Sequence, residues 1–289
     1  GSHWFSGLGD VYKGKGNALV KLSNDRLIGY FSWMISVVVI GAGNVGSHLV
    51  KAFQSAEKVN LVQWYSRDKM SIKAPTKGIE LCNDLKDLKS ADIYIIAVTD
   101  KAIEALSKQL PFENRLVVHT SGSVALKKLD MKHKRGVFYP LQTFSKTSDL
   151  EFSEVPFCIE TMNKEDSGQL KTLATYMGSP SYMINTEQRQ ALHLSAVFIN
   201  NFSNQMYRIA HELSDYKSVN FDVLKPLILE TAKKVQFTSP YNAQTGPAKR
   251  NDQVTINHHL RTLESHPDYQ LLYKKLTNSI KTTHGIKKL

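Results

Sequence analysis

Gly41, Gly43 and Gly46 stand in the pattern Gly41-Ala42-Gly43-Asn44-Val45-Gly46, directly after the apolar, β-branched run Ile35–Ile40. Glycines at this spacing suit the binding of a dinucleotide pyrophosphate. Gly41 permits a tight turn, Gly43 lets the backbone approach the anion, and Gly46 lets strand and helix pack closely. Asn44 and Val45 open the following helix, whose unpaired N–H groups face the phosphates. The alternative is a tight strand-to-helix turn without a ligand. About 20 residues past Gly46, NAD-binding chains place an acid on the ribose hydroxyls. Ser66 and Arg67 occupy that place here. A hydroxyl and a guanidinium suit a 2′-phosphate, which favours NADP over NAD. Asp68 takes the acidic role if the strand ends a residue or two later, and Arg67 is then an ordinary solvated charge.

Two further strand ends carry polar chemistry: Thr99-Asp100, directly after Val98, and His119-Thr120-Ser121-Gly122; Val98 and Thr99 are candidates for coenzyme contact. The imidazole of His119 could donate to a carbonyl or meet a nicotinamide ring; otherwise it caps its loop. Ser121 and Gly122 offer a hydroxyl and a backbone N–H to a substrate carboxylate. Ser121 lacks the glycine-flanked elbow of a hydrolase nucleophile. Gln142, within Tyr139-Pro140-Leu141-Gln142-Thr143-Phe144, presents an amide after a strand. Thr245 lies in a loop rich in turn formers, 239–250. His193, Asn200, Asn204, Tyr207 and His211 follow at spacings of 7, 4, 3 and 4, a single polar stripe on an α-helix. Apolar residues surround it, so the stripe needs partners: a substrate, another helix or a second copy of the chain. His193 and Asn200 are the catalytic candidates, with His119.

The elements that must position these groups read as alternating strands and helices as far as residue 185. Strands are predicted at Ile35–Ile40, Val59–Tyr65, 79–82, 91–98, Leu116–His119, 136–139, 155–160 and 181–184. Helices are predicted after Gly43 and over 84–88, 101–110, 124–129 and 167–177. The pattern predicts an α/β fold with a doubly wound, mostly parallel sheet, whose ligands bind beyond the carboxyl ends of the strands. From residue 186 the pattern is helical, over 187–214, 221–236, 253–263 and 267–280. The expected domains are thus 34–185 for the dinucleotide and 186–289 for substrate and dimerisation. Gly1-Ser2-His3 reads as a cloning remnant and Met34 as a native start. Residues 1–33 are an extension, native or vector-derived, with no sustained period and no assigned function. Residues 281–289 read as a frayed basic end.

At 289 residues and 42% hydrophobic content, the chain can hold two domains with separate cores. The net charge of +11 is dispersed, with no long basic run, so it favours anionic ligands and not nucleic acid. Two cysteines, Cys82 and Cys158, show no metal-ligand spacing. No apolar stretch is long enough to span a membrane and no signal peptide is evident, so the expectation is a cytoplasmic protein without a metal.

Together these motifs resemble a bacterial family that joins a Rossmann-like NADP-binding domain to a helical domain of unknown function (2520). The glycine loop, His119 to Gly122 and Tyr139 to Phe144 carry the resemblance. So do 191–202 (Ala-Leu-His-Leu-Ser-Ala-Val-Phe-Ile-Asn-Asn-Phe) and 243–248 (Ala-Gln-Thr-Gly-Pro-Ala). It extends over about residues 34–285. The wider relatives are pyrroline-5-carboxylate reductase, the β-hydroxyacid dehydrogenases and deazaflavin-dependent NADP oxidoreductases. The resemblance implies hydride transfer between NADP(H) and a small imine, ketone or hydroxy acid, in a homodimer formed through the helical domain. Many members carry histidine where this chain has Tyr139. The β-hydroxyacid dehydrogenases place a catalytic lysine four residues before an asparagine of this helix; here Ala196 and Val197 hold those places. The proton donor must then be another group, His193 first. The missing lysine keeps open an NADP(H) sensor or scaffold without turnover, and a helical dimerisation module with a vestigial nucleotide fold.

Overall fold

A computed structural model describes residues 34–69, 72, 78–145 and 149–285, and the backbone of 11–14, 17–21 and 27–30. The chain divides into two compact units, Gly1–Phe198 and Ile199–Leu289. In the leading segment, where the sequence shows no period, β1 (Val11–Gly14), β2 (Asn17–Lys21) and β3 (Leu27–Tyr30) pair as an antiparallel sheet. Gly1-Ser2-His3 lies outside the described residues.

The first unit is built on eight strands: β4 (Ile35–Ile40), β5 (Val59–Tyr65), β6 (Glu80–Cys82), β7 (Ile93–Ile96), β8 (Leu116–His119), β9 (Lys134–Pro140), β10 (Phe157–Thr161) and β11 (Ser181–Met183). Their order is β11-β10-β9-β8-β7-β4-β5-β6. Every pairing is parallel except that of β9 with β10. The order reverses at β4, which has β5 on one side and β7 on the other, and such a reversal opens a crevice at the carboxyl ends of those strands. The glycine loop leaves β4 at that point.

β4 carries apolar side chains on both faces because both are covered. Val37 and Val39 pack with Leu49, Val50 and Phe53 of α1 (Asn44–Ser55) and with Leu170 and Leu173 of α3 (Lys164–Tyr176). Val38 and Ile40 pack the other way, with Tyr94, Ile96 and Ile103, the last on α2 (Asp100–Gln109). Each such side chain, wholly removed from water, contributes roughly 1.5–3 kcal/mol.

The helical region comprises α4 (Thr186–Ala196), α5 (Ser203–Asp215), α6 (Lys225–Phe237), α7 (Pro240–Ala243), α8 (Gln253–Thr262) and α9 (Pro267–Thr283). A capping box starts α4: Asn185 Oδ1 accepts from the Gln188 N–H at 2.9 Å, and Gln188 Oε1 from the Asn185 N–H at 3.0 Å. The expected single helix over 187–214 instead contains a π-helical turn, Val197–Phe202. Bonding from i to i+5 takes up an extra residue, so the α-helical register on which the polar stripe was read does not continue through 197–202. The basic end is not frayed at Lys281, which lies in α9 and is 1% exposed.

One side chain ties the sheet to the glycine turn. Trp64 on β5 is enclosed in the core, and its Nε1–H donates to the Gly41 carbonyl at 2.9 Å. Replacing Trp64 by Phe leaves that carbonyl without the indole. Urea unfolding should show a loss of about 1–3 kcal/mol; an unchanged midpoint would mean the bond contributes nothing.

Candidate functional site

Two of the three glycines are demanded by the protein's own packing. Gly41 has φ +122°, and a Cβ there would lie 2.2 Å from the Ala97 carbonyl oxygen. A Cβ on Gly46 would lie 2.2 Å from the Gly41 carbonyl oxygen. Gly43 differs: it is exposed, and a Cβ there would meet nothing within 4 Å. Gly43 is also the N-cap of α1, with no side-chain cap and no acid in the first turn. The first N–H groups of the helix therefore open on space that the protein does not fill, as an anion requires. Asn44 turns its amide to the Phe144 carbonyl (2.8 Å), and Val45 packs against the core. The loop fits the pyrophosphate of a nicotinamide dinucleotide.

At the end of β5, Arg67 and Asp68 are exposed. Ser66 is 7% exposed, and its hydroxyl donates to the Asp68 carbonyl at 3.0 Å. That hydroxyl shapes the turn, so the structure leaves Arg67 as the ligand-facing candidate of the pair. Val98 is half-buried beside Gly41, and Thr99 is exposed as the N-cap of α2, without a side-chain cap of its own.

His119 departs from expectation. It is 0% exposed, and its Nδ1 accepts from the Ser121 N–H at 3.1 Å. Nε2 then carries the hydrogen; it is buried and meets no acceptor of the protein. Burial, with Arg189 nearby, lowers its pKa to about 3. A neutral, enclosed imidazole presents no surface to a ligand, and its position follows from its own loop. Ser121 is likewise committed: its Oγ accepts from the N–H groups of Ser123 (3.2 Å) and Val124 (3.0 Å).

What the loop after β8 does support is a pair of rings. Tyr139, 9% exposed at the end of β9, places its hydroxyl 3.2 Å from Nδ1 of His193 on α4. A Cβ on Gly122 would lie 2.6 Å from that Nδ1 and 2.8 Å from Tyr139 Cζ. Burial pushes the Tyr139 phenol up to about 12. The start of α4 is anchored by Arg189, wholly buried, which pairs with Glu160 and donates to the Val124 carbonyl at 2.6 Å. Gln190 adds a bond to the Ser123 carbonyl at 2.8 Å.

Sequence reading missed Tyr139, Arg189 and Glu160 as parts of this arrangement. The available signal was Arg189 itself, a charge one helical turn before His193. Gln142 is exposed and folds onto its own turn, its Oε1 accepting from the Thr143 N–H at 2.8 Å. Asn200, in the π turn, and Thr245 belong to the second unit, and both are exposed there. Both cysteines are free and buried. Among the described residues, no three His, Cys, Asp or Glu side chains are placed to hold a metal, and no helix is long and apolar enough to cross a membrane.

The depressed pKa of His119 has a measurable consequence. Unfolded, it takes up a proton near pH 6.5; folded, it resists until about 3. Stability is therefore complete above about pH 6.5 and falls as pH drops towards 3, by up to about 1.4 kcal/mol per unit. Urea unfolding between pH 7 and pH 5 should show that slope, and His119→Gln should flatten it. His133, lowered in the same direction by burial, supplies what slope remains.

Residues 36–122 match the family described as NADP oxidoreductase, coenzyme F420-dependent, and residues 155–280 match a domain of unknown function, DUF2520. The fold matches the crystal structure of a provisionally named NADP oxidoreductase from Bacteroides fragilis with TM-score 0.77 and 40% identity, over 86% of this chain and 98% of that one. A pyrroline carboxylate reductase from Plasmodium falciparum, with NADP bound, matches at TM-score 0.58 and 12% identity, over 87% and 97% of the two chains. An imine reductase variant from Myxococcus stipitatus, with NAD+, matches at TM-score 0.56 and 18% identity, over 88% and 97%. The last two share the fold. A search of the curated proteins gives no significant match. At 40% identity over most of both chains, this chain belongs to the family of the Bacteroides fragilis protein, with an NADP oxidoreductase-type domain followed by a DUF2520 domain.

Proposed function

We propose that this chain is an NADP-dependent oxidoreductase acting on a small imine, ketone or hydroxy acid. The observation that carries the reading is the uncapped start of α1 at Gly43, open to an anion. Backbone N–H groups from Gly43 to Gly46 hold the pyrophosphate in this reading, and Arg67 holds the 2′-phosphate. Val98 and Thr99 border the rest of the coenzyme. When bound, the coenzyme supplies or accepts a hydride, and the protein supplies orientation and proton handling. His193 is the proton-handling group, since its Nδ1 is engaged by Tyr139 while the ring is only half-buried.

A homodimer through the helical region belongs to the same reading. A surface helix ordinarily buries an apolar stripe, yet α5 and α6 contain no buried residue. Ile199, Leu227, Leu229 and Phe237 are 76%, 62%, 54% and 91% exposed. A second copy would cover them; a monomer in sedimentation equilibrium would discard the dimer.

Calorimetry with both reduced coenzymes, followed by turnover assays, tests the rest. Arg67→Ala should weaken NADPH about 10- to 100-fold and leave NADH nearly unchanged, the loss of one charge-assisted phosphate contact. NADPH should be oxidised with some member of a panel of imines, ketones and 2-oxo acids, and His193→Ala should lower that rate by about 100-fold or more. A protein that binds neither coenzyme ends the reading. One that binds NADPH and turns over nothing is a sensor or scaffold, as the missing lysine allows.

A further inference from the structure

Three chain segments meet at one small contact: the end of β9, the loop after β8 and the second turn of α4. Tyr139 and His193 approach edge to face, with ring centres 6.1 Å apart and planes at 71°. Both rings rest on the bare α-carbon of Gly122, since any Cβ would lie inside their contact distance. Leu192, beside His193, packs into the apolar cluster that holds Tyr139 and Cys158. Arg189 fixes the helix one turn earlier. The position of the imidazole is thus set from several sides, and the Tyr139 hydroxyl grips its Nδ1 by a hydrogen bond of 3.2 Å.

An imidazole that moves protons through one nitrogen needs the other held, because the ring otherwise rotates and exchanges its tautomers. A phenol suits the task in both charge states. It accepts from Nδ1–H when the ring is protonated, and still does so when Nε2 has given up its proton and the neutral ring keeps its hydrogen on Nδ1. Burial keeps the Tyr139 phenol un-ionised, so it adds no competing anion.

We propose that Tyr139 is a positioning residue which holds Nδ1 of His193 and leaves Nε2 as the nitrogen that gives up and recovers the proton. This rests on the reading of His193 as the proton-handling group. In the reducing direction the substrate carbon takes a hydride from the reduced nicotinamide coenzyme, and the Nε2–H bond of the imidazolium breaks. Its proton passes to the substrate nitrogen or oxygen. The neutral ring keeps its other hydrogen on Nδ1, donated to the Tyr139 oxygen, and Nε2 regains a proton from water.

The test is Tyr139→Phe in full-length protein labelled with 15N histidine, His193→Gln serving to assign the ring signals. In coenzyme-free protein, the Nδ1 signal of His193 should move from that of a hydrogen-bonded nitrogen to that of a ring averaging its tautomers. With NADPH and whichever substrate the panel gives, kcat should fall about tenfold, the loss of one positioning bond, with KM little altered. Should Tyr139→Phe fail to fold, Gly122→Ala parts the two rings without altering either and should give the same spectral change. An unmoved Nδ1 signal, or an unchanged kcat, overturns the role of Tyr139. If His193→Gln itself leaves turnover intact, the reading of His193 falls with it; if His193→Gln abolishes turnover while Tyr139→Phe has no effect, only Tyr139 is misassigned.

Discussion

The Gly41 carbonyl oxygen is the crossing point of the first unit. The Gly46 α-carbon stands so near that a side-chain carbon would fall 2.2 Å away, and the Trp64 indole donates to the same oxygen. Strand β4, helix α1 and strand β5 are thereby fixed to one another within a few ångströms. The closeness is what brings the start of α1 to the reversal point of the sheet, where Gly43 remains open. A larger residue at Gly41 or Gly46 would push the helix off the sheet, and its open first turn would move with it.

Much of this was legible because it is local. β4, β5 and β8 coincide with their predicted ranges, since strands covered by helices leave mostly apolar runs, broken in β5 only by Asn60 and Gln63. The glycine spacing showed the turn for the same reason: six consecutive residues contain the whole device. The polar site was harder. Tyr139 and His193 are 54 residues apart, and no periodicity joins them. His119 misled because a histidine at a strand end looks alike whether it faces a ligand or its own loop; the Ser121 N–H decides, and that bond exists only in the folded turn. The three paired strands before Met34 escaped because their apolar residues do not alternate cleanly.

The Arg189–Glu160 pair shows how the nucleotide sheet reaches the helical region in sequence terms. One partner lies on β10 and the other in the first turns of α4, and the arginine is wholly enclosed. Removing one member of such a pair strands a charge, typically at a cost of about 3–5 kcal/mol. Its value here is placement: α4 is set against the loop after β8, and His193 comes to rest over Gly122.

The π turn at Val197–Phe202 makes the phase of the chain beyond it a matter of a single residue. Deleting one position there would restore α pitch and swing α5 by about 100° about its own axis. The helical phase across these six residues is therefore governed by chain length, independently of what those residues are.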